Sequence, residues 1–364
     1  MTEDLDGAFA DLERAQAAAA AQGLLAEAAR VHYLRGNLCF PRGDIAGCLR
    51  EHGRGLNLAR QARDPELEAA TLGGLGDAEY VRGRMISAYD RLSECVDLCR
   101  RHGFGRIEVA NAAQITHTMV YFRPQGEVVE RALAAAQAAA RVGHLRAELN
   151  ARLAAMFALF NLAEVATCLE QATQMQALVR RLGAWRFDAS GLRYRGRIAL
   201  AERRRDEAEQ LLREAVNACR RTGVSFEGPR TLSALALAVE NRTERRELLA
   251  EGEALIRAGC VGHNPLYFYP EAVEVCLELG EFGEVERHAM ALEDYTRAEP
   301  LPWAEFHIER GRALAAFSQG SCDTALLAEL RRMRDEGSRL GLRDPLARIE
   351  AALADAQHEA SRSR

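Results

Sequence analysis

The sequence predicts an all-α fold, a right-handed α-solenoid of stacked antiparallel helix pairs, and three observations carry that expectation. Alanine, leucine, glutamate and arginine dominate a chain of 364 residues with only 6% aromatics, and runs of β-branched residues bounded by turn signals are hard to find. Gly103, Gly143, Gly183 and Gly223 recur forty residues apart, each behind an arginine-bearing helix end. A second series of turns, Gly43, Gly83, Arg123, Ala163 and Arg203, keeps the same interval midway between the first. Two helices per forty residues, joined by short turns, stack into a solenoid and do not close into a bundle.

Each part of the grid has a local reason. In Arg-Arg-His-Gly103, Arg-Val-Gly143, Arg-Arg-Leu-Gly183 and Arg-Arg-Thr-Gly223 the glycine supplies the left-handed residue that ends a helix, and arginine faces the negative end of the helix dipole. Gly23 lies on the same grid, and at the vacant step Arg63-Asp64-Pro65 reads as a stop, an N-cap and a first-turn proline. After a shift of a few residues near Asn241, Gly280 and Gly320 resume the midway series. Within a pair, Leu72-Gly73-Gly74-Leu75-Gly76 is followed by Tyr80, Gly83, Ala88, Leu92 and Cys95. A small residue in the first helix admits the second helix closely, Gly83 turns the chain, and the last three pack back at helical spacing. The same offsets give Gly196, Arg203, Ala208, Leu212 and Ala215, and earlier Gly36, Gly43 and Cys48. This arrangement resembles the tetratricopeptide repeat, stretched from its usual length of about 34 residues.

One repeat domain spanning 1–364 follows: a half repeat at 1–23, helix pairs over 24–341 and a terminal helix at 344–360. Ala8, Leu12 and Ala15 fall where Ala208, Leu212 and Ala215 sit, so the chain is expected to open on the second helix of a pair, as a module cut from something longer. At the other end Asp344-Pro345 starts a helix that has no successor and serves as a cap.

Composition narrows the function. The net charge is -5, with both signs interspersed, which speaks against nucleic acid as a partner. All 48 basic residues are arginine, so the lysine of a Walker phosphate loop, of a pyridoxal Schiff base or of a kinase ATP site cannot be supplied. The acidic start Met1-Thr2-Glu3-Asp4-Leu5-Asp6 does not read as a signal peptide, no apolar run reaches membrane length, and nine scattered cysteines read as reduced thiols of a cytoplasmic protein. No cofactor is implied.

Sites with chemical potential are few. Cys95, Cys99 and His102 share a helical spacing that could hold a metal, yet buried cysteines at core positions give the same pattern and no second ligand pair accompanies them. Glu207, Glu209 and Glu214 alternate with arginines as on a solvated helix face. The stretch from Cys260 to Pro270 and the following Glu299-Pro300-Leu301-Pro302-Trp303 concentrate Tyr267, Phe268, Tyr269, Trp303 and Phe306 at the starts of two successive first helices. An aromatic core joining the last repeats and a ligand pocket both fit that cluster. Asn264-Pro265 reads as a helix start.

First helices line the concave face of such a solenoid. Projecting the small-residue register onto them gives the groove positions Tyr33, Asn37, Asp77, Tyr80, His117, Tyr121, Asn150, Phe157, Arg193, Arg197, Tyr267, Glu274, His307 and Arg310. Polar and aromatic side chains in such a groove suit a protein or peptide partner, and they equally suit an ordinary wet surface.

Several stretches resemble a family more specifically. Tyr33-Leu34-Arg35-Gly36-Asn37-Leu38, Pro41-Arg42-Gly43-Asp44, Leu75-Gly76-Asp77-Ala78, the run from Cys99 to Asn111 and the run from Leu292 to Trp303 are similar to the C-terminal repeats of bacterial class III adenylate/guanylate cyclases fused to an AAA-type ATPase. The resemblance implies a non-catalytic sensor or scaffold arm, with cyclase and ATPase domains upstream as partners in the same polypeptide. A free-standing repeat adaptor is the first alternative, and a helical-toroid enzyme acting on a sugar or lipid is the second. Open curvature with the two ends apart is the expectation that separates the repeat readings from a toroid.

Overall fold

The computed structural model describes residues 5–362; Met1 to Asp4 of the acidic start, together with Ser363 and Arg364, lie outside the described residues. Among the described residues there are eighteen α-helices and one 3-10 turn: α1 (Leu5–Gln22), α2 (Leu25–Cys39), α3 (Ile45–Ala62), α4 (Pro65–Val81), α5 (Met85–His102), α6 (Gly105–Met119), α7 (Gln125–Arg141), α8 (Leu145–Asn161), α9 (Val165–Leu182), the 3-10 turn Trp185–Phe187, α10 (Asp188–Ala201), α11 (Arg205–Thr222), α12 (Val224–Ala238), α13 (Arg242–Ala258), α14 (His263–Leu279), α15 (Phe282–Thr296), α16 (Pro302–Ser318), α17 (Thr324–Leu340) and α18 (Arg343–Arg362). From α2 onward they form eight helix pairs in an all-α, tetratricopeptide-like solenoid, with α1 before and α18 after. None is long and apolar enough to cross a membrane.

Most of the punctuation works as the sequence predicts, with two exceptions: Gly223 ends α11 with φ 115° and ψ 112° instead of the left-handed helical conformation, passing straight into α12, and Arg123 turns the chain without a positive φ. Gly103 and Gly183 cap α5 and α9 in the left-handed conformation, and where glycine is missing Arg63, Ala163 and Arg203 take the same positive φ. Asp64 caps α4 by accepting from the Leu67 N–H, with Pro65 in the first turn. The small residues act as expected too, since a Cβ on Gly76 or Gly196 would lie 2.5 or 2.6 Å from the Leu92 or Leu212 side chain of the paired helix. The shift near Asn241 is a tight connection in which Asn241 caps α13 through the Thr243 and Glu244 N–H groups.

Two local expectations are corrected. Asn264 is not a helix cap: α14 begins at His263, and the fully buried Asn264 amide donates to the Phe226 and Val261 carbonyls, tying α14 to the preceding pair. The terminal helix starts at Arg343, one residue before Asp344.

The larger departure is in curvature. The solenoid winds so tightly that later turns of the chain rest on earlier ones, and the arc is not open. Gly262 N–H donates to the Val81 carbonyl at 2.7 Å, and Trp303 N–H to the Tyr121 carbonyl at 3.0 Å. Gly262 and Gly83 approach so closely that a Cβ on Gly262 would stand 2.2 Å from the Gly83 nitrogen. The turn before the seventh pair thus sits on the turn inside the second, and the one before the eighth sits on the third. Glu299 completes the seam by accepting from the Ile86 and Ser87 N–H groups at 2.7 and 3.1 Å, which gives α5 an N-terminal cap that its own Arg84 does not supply. One continuous apolar core consequently runs from Met85 to Leu353. On the outer side, alanines 134, 135 and 138 of α7 are too small to close against α5 and α6, leaving a cleft of about 510 Å³.

Candidate functional site

Register decides what reaches the axis. Asn37, Asp77, His117, Phe157 and Arg197 sit forty residues apart at one position of successive first helices. Because the coil is closed, that position faces a confined interior. There α8, α10, α12, α14, α16 and α18 surround a pocket of about 250 Å³. One wall is aromatic, made of Phe157, Phe160, Tyr194, Tyr267 and Trp303. The rings meet edge-on or tilted, with Phe157 at 5.1 Å from Tyr267 and 5.2 Å from Trp303.

The other wall is an ion-pair lattice. Glu271 accepts from Arg193, from Arg197 at 2.7 Å and from Ser233 Oγ at 2.6 Å. Glu274 pairs with Arg310 and with Arg348 at 2.8 Å, and Arg348 reaches Glu278 at 2.7 Å. Arg310 also donates to the Pro345 carbonyl at 2.7 Å, while Arg197 spans to Asp344 at 3.3 Å. Arg310 beside Glu274 holds that carboxyl below the ordinary range against the opposing effect of burial, whereas burial raises Asp344. His307, ring centroid 4.4 Å from Trp303, is pushed down to about 3 by burial and by Arg310, so it is neutral at physiological pH. Beneath the pocket, Arg230 pairs with Glu227 and lies 4.8 Å over the Tyr267 ring. Every carboxylate of the site is tied to an arginine, an arrangement suited to recognition by shape and charge; none is left free to shuttle protons.

Seven of the fourteen projected groove residues line this pocket: Phe157, Arg193, Arg197, Tyr267, Glu274, His307 and Arg310. Arg193 and Arg197 do not offer a free guanidinium to the groove, since both pair with the chain's own Glu271 and Arg193 is 2% exposed. The remaining seven lie elsewhere. Tyr33 flanks the buried His52 ring at 5.7 Å. Asn37 is half-buried, and Asp77 is exposed yet ringed by protein, which raises its carboxyl to about 6. Tyr80 Oη meets His263 Nδ1 at 3.1 Å across the seam. His117 Nε2 donates to the Asn150 carbonyl at 2.7 Å, and Tyr121 is buried in the aromatic cluster that joins the coils.

Sequence reasoning missed Glu271, Asp344 and Arg348. Glu271 lies one turn before Glu274 on the same helix, a spacing that could have found it, but Asp344 and Arg348 belong to a helix read only as a cap. The aromatic cluster turns out to be both things at once, core and pocket wall. Cys95, Cys99 and His102 do not converge: the two thiols are buried, Cys95 donating to the Ala69 carbonyl, while His102 is exposed and stacks on Phe104 at 5.6 Å. Among the described residues no group of three or more His, Cys, Asp or Glu is placed to hold a metal ion.

No family model matches the chain, and no curated protein sequence matches it. Solved structures resemble it. The apo form of RapI is 13% identical with a TM-score of 0.47, over 88% of this chain and 98% of that one. A Rap protein complexed with competence and sporulation factor is 12% identical with a TM-score of 0.49, over 98% of each chain. The apo form of the quorum sensor NprR from B. thuringiensis is 12% identical with a TM-score of 0.45, over 98% of this chain and 99% of that one.

Proposed function

We propose that this chain is a non-catalytic, cytoplasmic interaction and regulatory module that receives a protein or peptide segment in its axial pocket. The observation that carries the reading is the spread of the pocket over five first helices and the terminal helix, with all its carboxylates held by arginines. A ligand seated there touches the coil at many successive pairs at once, so its binding free energy bears on the winding of the whole solenoid. Residues of the seam, such as Trp303 and Tyr267, also form the pocket wall, which gives occupancy a direct mechanical route to the coil contacts.

Selection of a random peptide library on the immobilised chain tests this. Peptides that bind the native chain and lose affinity for the Arg348→Ala variant are expected; binders indifferent to that variant and to others around the pocket would refute the axial site.

The resemblance to the repeats of cyclase–ATPase fusions supports a finer reading, a sensor or scaffold arm of a multidomain nucleotide-cyclase/ATPase signalling protein. Two of the stretches that carry it, around Leu75 to Ala78 and from Leu292 to Trp303, lie on or beside the seam. An open reading frame continuing upstream of Met1 through cyclase and ATPase domains is the expected finding. A stop codon immediately upstream would favour the free-standing adaptor instead.

A further inference from the structure

We infer that the axial pocket is a receptor for the carboxyl-terminal residue of a peptide, with the terminal carboxylate at Arg197 and His307 and the last side chain on the aromatic wall. This rests on the axial-pocket reading above and narrows it to one chemistry.

Size comes first. A pocket of about 250 Å³ falls below the roughly 300–1,000 Å³ of sites that enclose drug-sized ligands, so it takes one side chain and a chain end in preference to an extended strand. Phe157, Phe160 and Trp303 offer that side chain an apolar seat.

Unfilled hydrogen-bonding capacity comes second. Arg193 is completed by Glu271 and the Arg230 carbonyl, and Arg310 by Glu274 and the Pro345 carbonyl. Arg197 is the least committed arginine of the lattice. It shares Glu271 with Arg193, its contact to Asp344 is the longest of these ion pairs at 3.3 Å, and its buried Nε has no partner. His307, which also lines the pocket and is 9% exposed, likewise has a buried Nε2 without a partner. Both atoms can donate, the imidazole in its Nε2-protonated tautomer, and both are enclosed by protein, so an acceptor from a ligand meets them as the Arg197 and His307 side chains turn toward the pocket they line.

A carboxylate supplies up to four acceptor positions and forms charge-assisted bonds to guanidinium. A terminal carboxylate does so without a chain that must continue through the far wall. An amino terminus gains nothing comparable, because the lining carboxylates are already bound to arginines.

Trp303 reports on the site. The chain holds two tryptophans, and Trp185 is 54% exposed on the 3-10 turn away from the pocket, so Trp185→Phe leaves Trp303 as the sole tryptophan, excited selectively beyond the tyrosine band. Titrating that protein with N-acetyl-phenylalanine is expected to change Trp303 emission saturably, and N-acetyl-phenylalanine amide to bind at least about tenfold more weakly. Arg197→Gln is expected to erase the preference for the acid. Ala201→Phe narrows the pocket from a lining position without altering a charge, and is expected to weaken both compounds alike. Helical circular dichroism and melting establish that each variant is folded. Equal affinity for acid and amide, no saturable response to either, or binding untouched by Ala201→Phe would overturn the inference. Library-selected peptides that depend on the pocket but tolerate C-terminal amidation would overturn it alone and leave the axial-pocket function standing.

Discussion

The first two helix pairs and the rest of the coil are built from the same repeat, yet they are held together differently. In α2 to α5 the apolar residues form separate small groups, such as Ala29 with Ala59 and Leu67, or Cys39 with Cys48 and Ala78. From Met85 onward most of them gather into two large cores, one drawing on residues from Met85 to Leu353 where the returning coil adds a second layer of contacts, and one between α10 and α16. The arm also contains the His52 ring, wedged between Gly36 and Gly74 with both nitrogens unpartnered, whereas the buried Arg230 and Glu227 of the axis satisfy each other. Position in the superhelix, more than the repeat itself, sets how much each pair is buried.

The hardest blow to that contrast comes from the axis. Arg230→Ala leaves Glu227 buried with the neutral His263 ring at 3.9 Å in place of a cation, so a loss of about 3–5 kcal/mol in urea unfolding is expected. A loss under about 1 kcal/mol would show that the axial lattice is not what holds the coil.

Acid probes both regions. Burial lowers His52 and His117 to about 4 and His307 to about 3. Unfolded histidines take up protons near pH 6.5 while these three stay neutral, so their contribution is intact above that pH and is lost as pH falls toward their folded values. Each proton adds a slope of about 1.4 kcal/mol per pH unit to the unfolding free energy between pH 6.5 and 4. His52→Asn is expected to reduce the slope by one proton; an unchanged slope would mean that His52 titrates normally in the fold.

The seam offers a gentler test. Glu299→Ala removes the cap that the seventh pair lends to α5 and is expected to cost about 1 kcal/mol. Amide exchange should quicken at Ile86 and Ser87 while the interior helix α11 is unaffected; exchange rates unchanged at those two amides would remove the cap from the seam. Smallest of all is the outer surface, where Arg332→Ala breaks an exposed pair with Glu309 and should cost under about 1 kcal/mol.

Much of this was legible in the sequence and some was not, for physical reasons. The glycines on the forty-residue grid mark helix ends because a positive φ is a local demand, and the register of Asp77, His117, Phe157 and Arg197 follows from the helical period alone. The seam leaves no such periodic trace. Gly83 reads as one turn among many, and only its setting at the seam, under the Tyr295 side chain and against Gly262, 179 positions on, reveals why neither glycine tolerates a side chain. The aromatic stretch around Tyr267 and Trp303 was the one visible sign that these repeats touch something other than their neighbours. Asp344 and Arg348 stayed hidden because a terminal helix becomes part of the axial wall only when the coil closes.

That closure also sets an order in time. Tyr80 meets His263 across 183 residues of chain, and at about 5–20 residues per second a ribosome needs roughly ten to forty seconds to make that stretch. Helix pairs form from local contacts far sooner, so during synthesis the second pair waits with the Gly83 edge bare until the seventh emerges. A repeat protein that could otherwise assemble stepwise as it is translated thus defers its tightest contacts to the end, and the exposed edge is where a chaperone would find its interval to act.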